Sequence, residues 1–349
     1  MTSSATGGGG AGANWSTGDE GASARDGGKA IAQATARNVG GGSTTVTATA
    51  KGGGGGSAGG LYDGTLVSGN GGEAIAFAAV ESRGGGQVVV SVNQIGGPGG
   101  GGLSGADGGN GAASYLHNAV SVIADGNLTV VQNAEGGGAV GFPHIPTDHD
   151  VHAGDGGAAT SDLNFDYEHD LDVTVSAAGA AGGVGSPLNF DSPYRILAGH
   201  GGSAQAHLVA NAGGILRTQT TALGGDSYGF DPSQSDSQGG AAHALQVVQS
   251  SNLDATAAHL ARGLAVGGRL GGNAQSSSDA SIAAGTLEVK DVAFAYRGTP
   301  YLSLVSSHAE GVSSGDGRVT ADAQALLGDG YFSSEGLAEF EKPVELTAV

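Results

Sequence analysis

The stretch Gly96–Gly111, GGPGGGGLSGADGGNG, carries glycine at every third position: Gly96, Gly99, Gly102, Gly105, Gly108 and Gly111. A flexible linker needs no such register. A helix of three residues per turn does, because its crowded inner edge admits no side chain, as in the chains of collagen. Packed extended glycine helices, the polyglycine II arrangement, are therefore the reading set against a linker, with Gly102 on the shared inner edge and Gly100 off it.

The segments on either side have a different period. Ala30, Ala32, Ala34 and Ala36 alternate with Ile31, Gln33 and Thr35, and Thr45-Val46-Thr47-Ala48-Thr49-Ala50 alternates again after a turn at Gly40. A period of two is that of a strand, and β-branched residues suit it. The unit of strand A, turn, strand B and glycine segment recurs seven times, opening at Gly27, Gly71, Gly111, Gly157, Gly202, Gly240 and Gly272. Turn residues fall at Gly40, Gly84, Gly126, Asp170, Gly213, Asn252 and Gly285.

Stacking such units places A on A, B on B and glycine helix on glycine helix. The expected fold is all-β with little or no α-helix: a repeat β-solenoid, or a sandwich of stacked A/B hairpins, with glycine helices alongside. The alanine ladder Ala74, Ala76 and Ala78 is expected to face a thin core. Three regions follow: residues 1–26 as a glycine-rich N-terminal assembly arm with Trp15 as its anchor, 27–298 as the seven repeats, and 299–349 as a C-terminal cap or interface segment. Variable inserts, LYDGTLVS, FPHIPTDHDVH, SPLNFDSPYRIL and SYGFDPSQSDSQ, project from one edge of the glycine face.

Composition sets the chemistry. Glycine supplies 71 of 349 residues and aromatics 5%, so a thick core is beyond reach and backbone hydrogen bonding has to offset the entropy of ordering glycine. A net charge of −20 with 13 Lys and Arg argues against nucleic acid, whose phosphates need clustered cations. Without cysteine there are no disulfides or thiolate sites, and no run is long and apolar enough to span a membrane.

Candidate ligands are few. His144, Asp148, His149, Asp150 and His152 are the densest titratable cluster, in a loop marked by Pro143 and Pro146. Asp166–Asp172, DYEHDLD, reads as a solvated strand face, and Asp107 and Asp155 sit among glycines without the nonapeptide of calcium β-rolls. The sequons at Asn14 and Asn127 arise readily at this Ser and Thr content. No residue is assigned a catalytic, cofactor-binding or metal-binding role, and His144, Asp148 or His200 would matter for catalysis only if they lined a deep pocket. The expectation is a protein that is not an enzyme and needs no cofactor.

The pattern GGxAxAxAxA…GGGxVxVxV…GGxGG over residues 27–298 resembles the Gly/Ala-rich repeat proteins found at bacterial surfaces and in biofilm matrix. The glycine helices also look like those of the tip adhesins of tailed phages. The resemblance implies an extracellular structural protein that assembles with itself into filaments, sheath or matrix, extracellular polysaccharide being a further partner class. The alternative is a phage or cell-surface adhesin reading glycans or a receptor through the inserts. The acidic-then-apolar end Glu345–Val349 fits export on a C-terminal signal.

Overall fold

The computed structural model describes residues 2–11, 24–59, 66–103, 106–140, 150–184, 196–228, 237–296, 303–315 and 317–328. In chain order the strands are β1 (Thr2–Thr6), β2 (Ala30–Asn38), β3 (Thr44–Lys51), β4 (Ala58–Gly59), β5 (Ala74–Ser82), β6 (Val88–Ile95), β7 (Gly102–Leu103) and β8 (Ser114–His117). Next come β9 (Val120–Ala124), β10 (Leu128–Glu135), β11 (Val151–His152), β12 (Ala159–Tyr167), β13 (Leu171–Ala178), β14 (Ile196–Leu197) and β15 (Ala204–Ala212). The last are β16 (Leu216–Leu223), β17 (Ala242–Ser250), β18 (Ala258–Val266), β19 (Ala274–Ile282), β20 (Thr286–Tyr296), β21 (Val305–Ser313) and β22 (Arg318–Gly328). No helix occurs among the described residues.

Among the described residues every strand pairing is parallel, which settles the topology. Sheet B runs β1-β3-β6-β10-β13-β16-β18-β20-β22. Sheet A runs β2-β5-β9 and β8-β12-β15-β17-β19-β21, where β8 and β9 are two halves of one strand broken at Asn118, whose φ is 46°. The chain is thus a β-solenoid in which each coil lays one strand on A and one on B. The hairpin alternative is corrected: A/B hairpins would give antiparallel ladders.

The coils also outnumber the seven copies read from sequence. β21 and β22 form an eighth within residues 299–349, missed because its strands lack the flanking Gly-Gly pairs. At the other end β1 pairs with β3 in register Thr2↔Thr47 to Thr6↔Lys51, and the Gly7 N–H donates to the Lys51 carbonyl. Residues 2–11 are therefore held by their own chain, and Trp15 lies outside the described residues.

The two sheets face each other across a core as thin as its side chains. Ala30, Ala32, Ala34, Ala74, Ala76 and Ala78 of sheet A meet Val46, Ala48, Ala50, Val88, Val90 and Val92 of sheet B, all buried. Intervening residues point outward, the alternation a strand imposes. Toward the middle the core widens to Leu128, Leu163, Leu171 and Leu208.

Where sheet A splits, two buried glutamines of sheet B stand in for missing ladder bonds. β8 does not pair with β5; instead Gln94 accepts from the Ala76 N–H at 3.2 Å and donates to the Tyr115 carbonyl at 3.2 Å. β9 does not pair with β12; there Gln132 accepts from the Ala119 N–H at 3.0 Å and donates to the Asp162 carbonyl at 3.1 Å. A carboxamide offers one acceptor and a donor pair, which is what a gap of one peptide needs. Replacing Gln132 with Leu should cost about 1–3 kcal/mol by leaving the buried Ala119 N–H unpartnered, while the Asp162 carbonyl keeps the Asn118 N–H at 2.9 Å. A denaturant midpoint equal to that of the parent would contradict the role.

Beyond the strands each coil continues as an outgoing glycine helix and returns as an incoming one. Cross-layer bonds link them in one chain: Gly28 donates to Gly8, Gly53 to Gly28, Gly72 to Gly53, Gly97 to Gly72, Ala112 to Gly97, Gly137 to Ala112, and so on to Gly272, at 2.6–3.1 Å. A second chain runs three residues further out, Gly56 to Arg25, Gly69 to Gly56, Gly100 to Gly69 and Gly109 to Gly100. The three-residue turn is present. Intermediate residues bond the next coil of the same layer, as Gly52 does to Ile95, Gly96 to Glu135 and Gly136 to Ala178.

Two of every three positions are consequently closed, not one. A Cβ on Gly96, Gly97, Gly99, Gly100 or Gly102 would land on a neighbouring carbonyl oxygen, whereas Pro98 and Gly101 occupy the outward third. The expected contrast between Gly102 and Gly100 is thereby corrected, because the helix is bonded on two sides. Adjacent glycines give the sharper contrast. Gly137→Ala, whose Cβ meets the Gly97 carbonyl, should destabilise by about 1–3 kcal/mol, and Gly138→Ala, facing open space, by almost nothing. Equal melting temperatures for the two variants would refute the packing.

Candidate functional surface at the glycine edge

The outward third of the first six incoming helices carries a polar residue just before the glycine that leads into strand A: Asp26, Asn70, Asn110, Asp155, His200 and Gln238; the seventh has Leu270 there. An outward N–H in a glycine helix has no backbone partner, and here the preceding coil supplies one. Asp26 Oδ1 accepts from Asn70 N at 2.7 Å, Asn70 Oδ1 from Asn110 N at 3.0 Å and Asn110 Oδ1 from Asp155 N at 2.7 Å. Asp155 Oδ1 accepts from His200 N at 2.8 Å and His200 Nδ1 from Gln238 N at 3.1 Å. This ladder escapes a search for catalytic spacing. The polar residue preceding each Gly pair was its sequence signal.

All four inserts root at the far end of these helices. A small core of Ala58, Leu66 and Ala106, with Ala24 against it, closes the first root, and β4 pairs with β7 beside it. β11 pairs with β14 between the second and third, and Ser227 and Ser237 hydroxyls, 2.8 Å apart and buried, pinch the fourth. The described roots of the four inserts therefore lie along one side of the solenoid.

His144, Asp148 and His149 lie outside the described residues. Asp150 is half-buried, and His152 is exposed with its N–H given to Asp107 Oδ1 at 2.8 Å. Asp107 and Asp155 thus both serve the next coil's backbone. The DYEHDLD carboxylates straddle the turn between β12 and β13 and do not converge: Asp170 accepts from the Ile215 N–H, Asp166 from Asn211, and Asp172 stands in register with Arg217. Of the Asn127 sequon, Asn127 is exposed and Leu128 buried; Asn14 is outside the described residues.

Two titratable groupings on the outer face of sheet A arise from register alone. His117, Asp162 and His207 occupy one row of three successive coils, with both histidine Nδ1 atoms on Asp162 at 2.8 and 3.0 Å. Asp279, His308 and Glu310 place a donor atom each within 4.8 Å of one another, and are the residues here whose atoms could hold a metal ion. Ion pairing of His308 with Asp279 at 3.3 Å and Glu310 at 3.6 Å accounts for their approach.

Two buried groups have perturbed acidity. Asp291, inward on β20, takes hydrogen bonds from Ser276, Ser278 and Ser307 at 2.7–2.8 Å and from the His308 N–H; burial nevertheless lifts its carboxyl above the ordinary value, against those bonds. Gly263 opposite leaves the room it fills. His259 accepts from the Leu216 N–H at 3.1 Å through Nδ1, and burial, then Arg217, hold its pKa below the usual imidazole value.

Their pH effects have opposite signs. A raised carboxyl pKa means that the native state keeps its proton longer, so stability declines as pH rises from about 4 through the raised value. A lowered imidazole pKa means that stability declines as pH falls below about 6.5. Asp291→Asn should remove the first decline and His259→Gln the second, each read from melting temperature against pH. Unchanged pH profiles would contradict both assignments.

Comparison of the chain with family models, with curated proteins and with solved structures returns no match. The case for function therefore rests on the geometry.

Proposed function

We propose that this chain is an extracellular structural protein whose solenoids associate end to end into filaments, sheath or matrix. The carrying observation is that the described stack ends on open strands, β1 and β2 at one end and β21 and β22 at the other. Unpaired parallel edges are templates for further strands. A heterologous contact between opposite ends does not close unless a rotation makes a ring, so it propagates. The glycine edge favours the same reading, since a stack of uniform coils can be prolonged without a new kind of contact.

The row of inserts supports a second role within that assembly. Rooted on one side and recurring from subunit to subunit, the four inserts would present repeated binding segments to a glycan or a cell surface, and avidity would follow from the array. On a rod eight coils long, at about 4.8 Å per coil, each subunit adds roughly 40 Å. Electron microscopy of the purified protein should show unbranched chains growing in such steps with concentration. A monomer at all concentrations by sedimentation velocity would overturn the proposal.

A further inference from the structure

Among the described residues sheet B has one strand more than sheet A, and the surplus lies at the N-terminal end: β1 extends sheet B one level past β2. That end is a step. Along it runs the free edge of β2, which among the described residues no strand pairs, and behind it stands the inward side of β1, where Ala5 packs against the core. In the glycine layer Arg25 N donates to the Ala11 carbonyl at 3.1 Å, so the described residues on either side of positions 12–23 meet away from this edge. At the C-terminal end β21 and β22 finish level. If one solenoid stacked on another through β22 and β1, sheet A would lack one strand.

We propose that this gap is filled by residues Val344–Val349 of a second copy, added parallel to β2 as β22 of that copy pairs with β1. The inference rests on the end-to-end reading and names its joint. Three observations support it. The sequence VELTAV, outside the described residues, alternates Val344, Leu346 and Ala348 with Glu345 and Thr347, the period of AIAQAT in β2. Pro343 precedes it, a place where a strand tolerates proline. Charge also matches. Lys29 beside β2 and Arg37 within it are already paired, with Glu73 at 2.7 Å and Glu81 at 3.1 Å, so the match is one of net charge. Residues 1–59 hold four Lys and Arg against three Asp and Glu, and residues 299–349 two against eight. Head-to-tail contact joins opposite ends; tail-to-tail contact sets acid against acid.

In the matching register Val344 lies beside Ala30, Leu346 beside Ala32 and Thr347 beside Gln33. The chain has no cysteine, so single substitutions report cleanly. Full-length Gln33→Cys and Thr347→Cys proteins, mixed and oxidised, should give a disulfide-linked pair containing one of each. Adding Leu346→Arg to the second should reduce that product at least tenfold. Chains by electron microscopy without the mixed disulfide would sink this inference and leave the end-to-end reading standing. Neither chains nor disulfide would sink both. A disulfide within single chains of the doubly substituted protein would show that the segment serves its own copy, which also overturns the proposal.

Discussion

The structure depends on one repeated contact: a glycine N–H given to a carbonyl of the opposing glycine helix, passed from Gly28 to Gly8 at one end and from Gly272 to Gly268 at the other. Each such bond is worth only about 0.5–1.5 kcal/mol net, and glycine costs more to order than any other residue. The arrangement is tenable because every helix is bonded on two sides, to the other layer and to the next coil. Two links of the same chain are alanine, Ala112 and Ala180; at links such as Gly53, Gly97 and Gly137 a Cβ would meet a neighbouring carbonyl, and glycine stands there.

That edge sets what the strands can be. Because the two glycine layers approach closely, the sheets that continue them leave space for alanine and valine near the N-terminal end and for leucine further along. A core this shallow has no spare side chains to cover a defect, and the break at Asn118 is mended by glutamines reaching across from the other sheet. The C-terminal coils tolerate Asp291 for a related reason, since Ser276, Ser278 and Ser307 and the space above Gly263 are supplied together.

Much of this was legible in the residues. Alternation in AIAQATA and TVTATA marked strands, and glycines at intervals of three marked the threefold helix. Which glycines are closed was not legible, because that follows from the directions in which neighbouring helices bond: Pro98 beside Gly97 shows that the outward third accepts a ring. Gln94 and Gln132 read as ordinary strand residues until pairing shows which backbone groups are free. The eighth coil was hidden by the lack of Gly-Gly before Val305. Of the ladder residues Asp26, Asn70, Asn110 and Asp155, only Asp155 drew notice in the sequence, as a calcium ligand and not as an acceptor for a neighbouring turn. Parallel pairing was undecided until the registers were known, since alternation is the same in a hairpin and a solenoid.

The most direct measurement of the central claim is amide hydrogen exchange resolved at individual residues. If the glycine helices are hydrogen-bonded structure, the amides of Gly53, Gly72, Gly97 and Gly137 exchange as slowly as those of Val46 and Val90 in the adjoining strands, while Gly138, on the outward third, exchanges fast. Uniformly fast exchange at all five glycines, with the strands still protected, would mean that the glycine segments are linkers between sheets and that the ladder does not hold the stack.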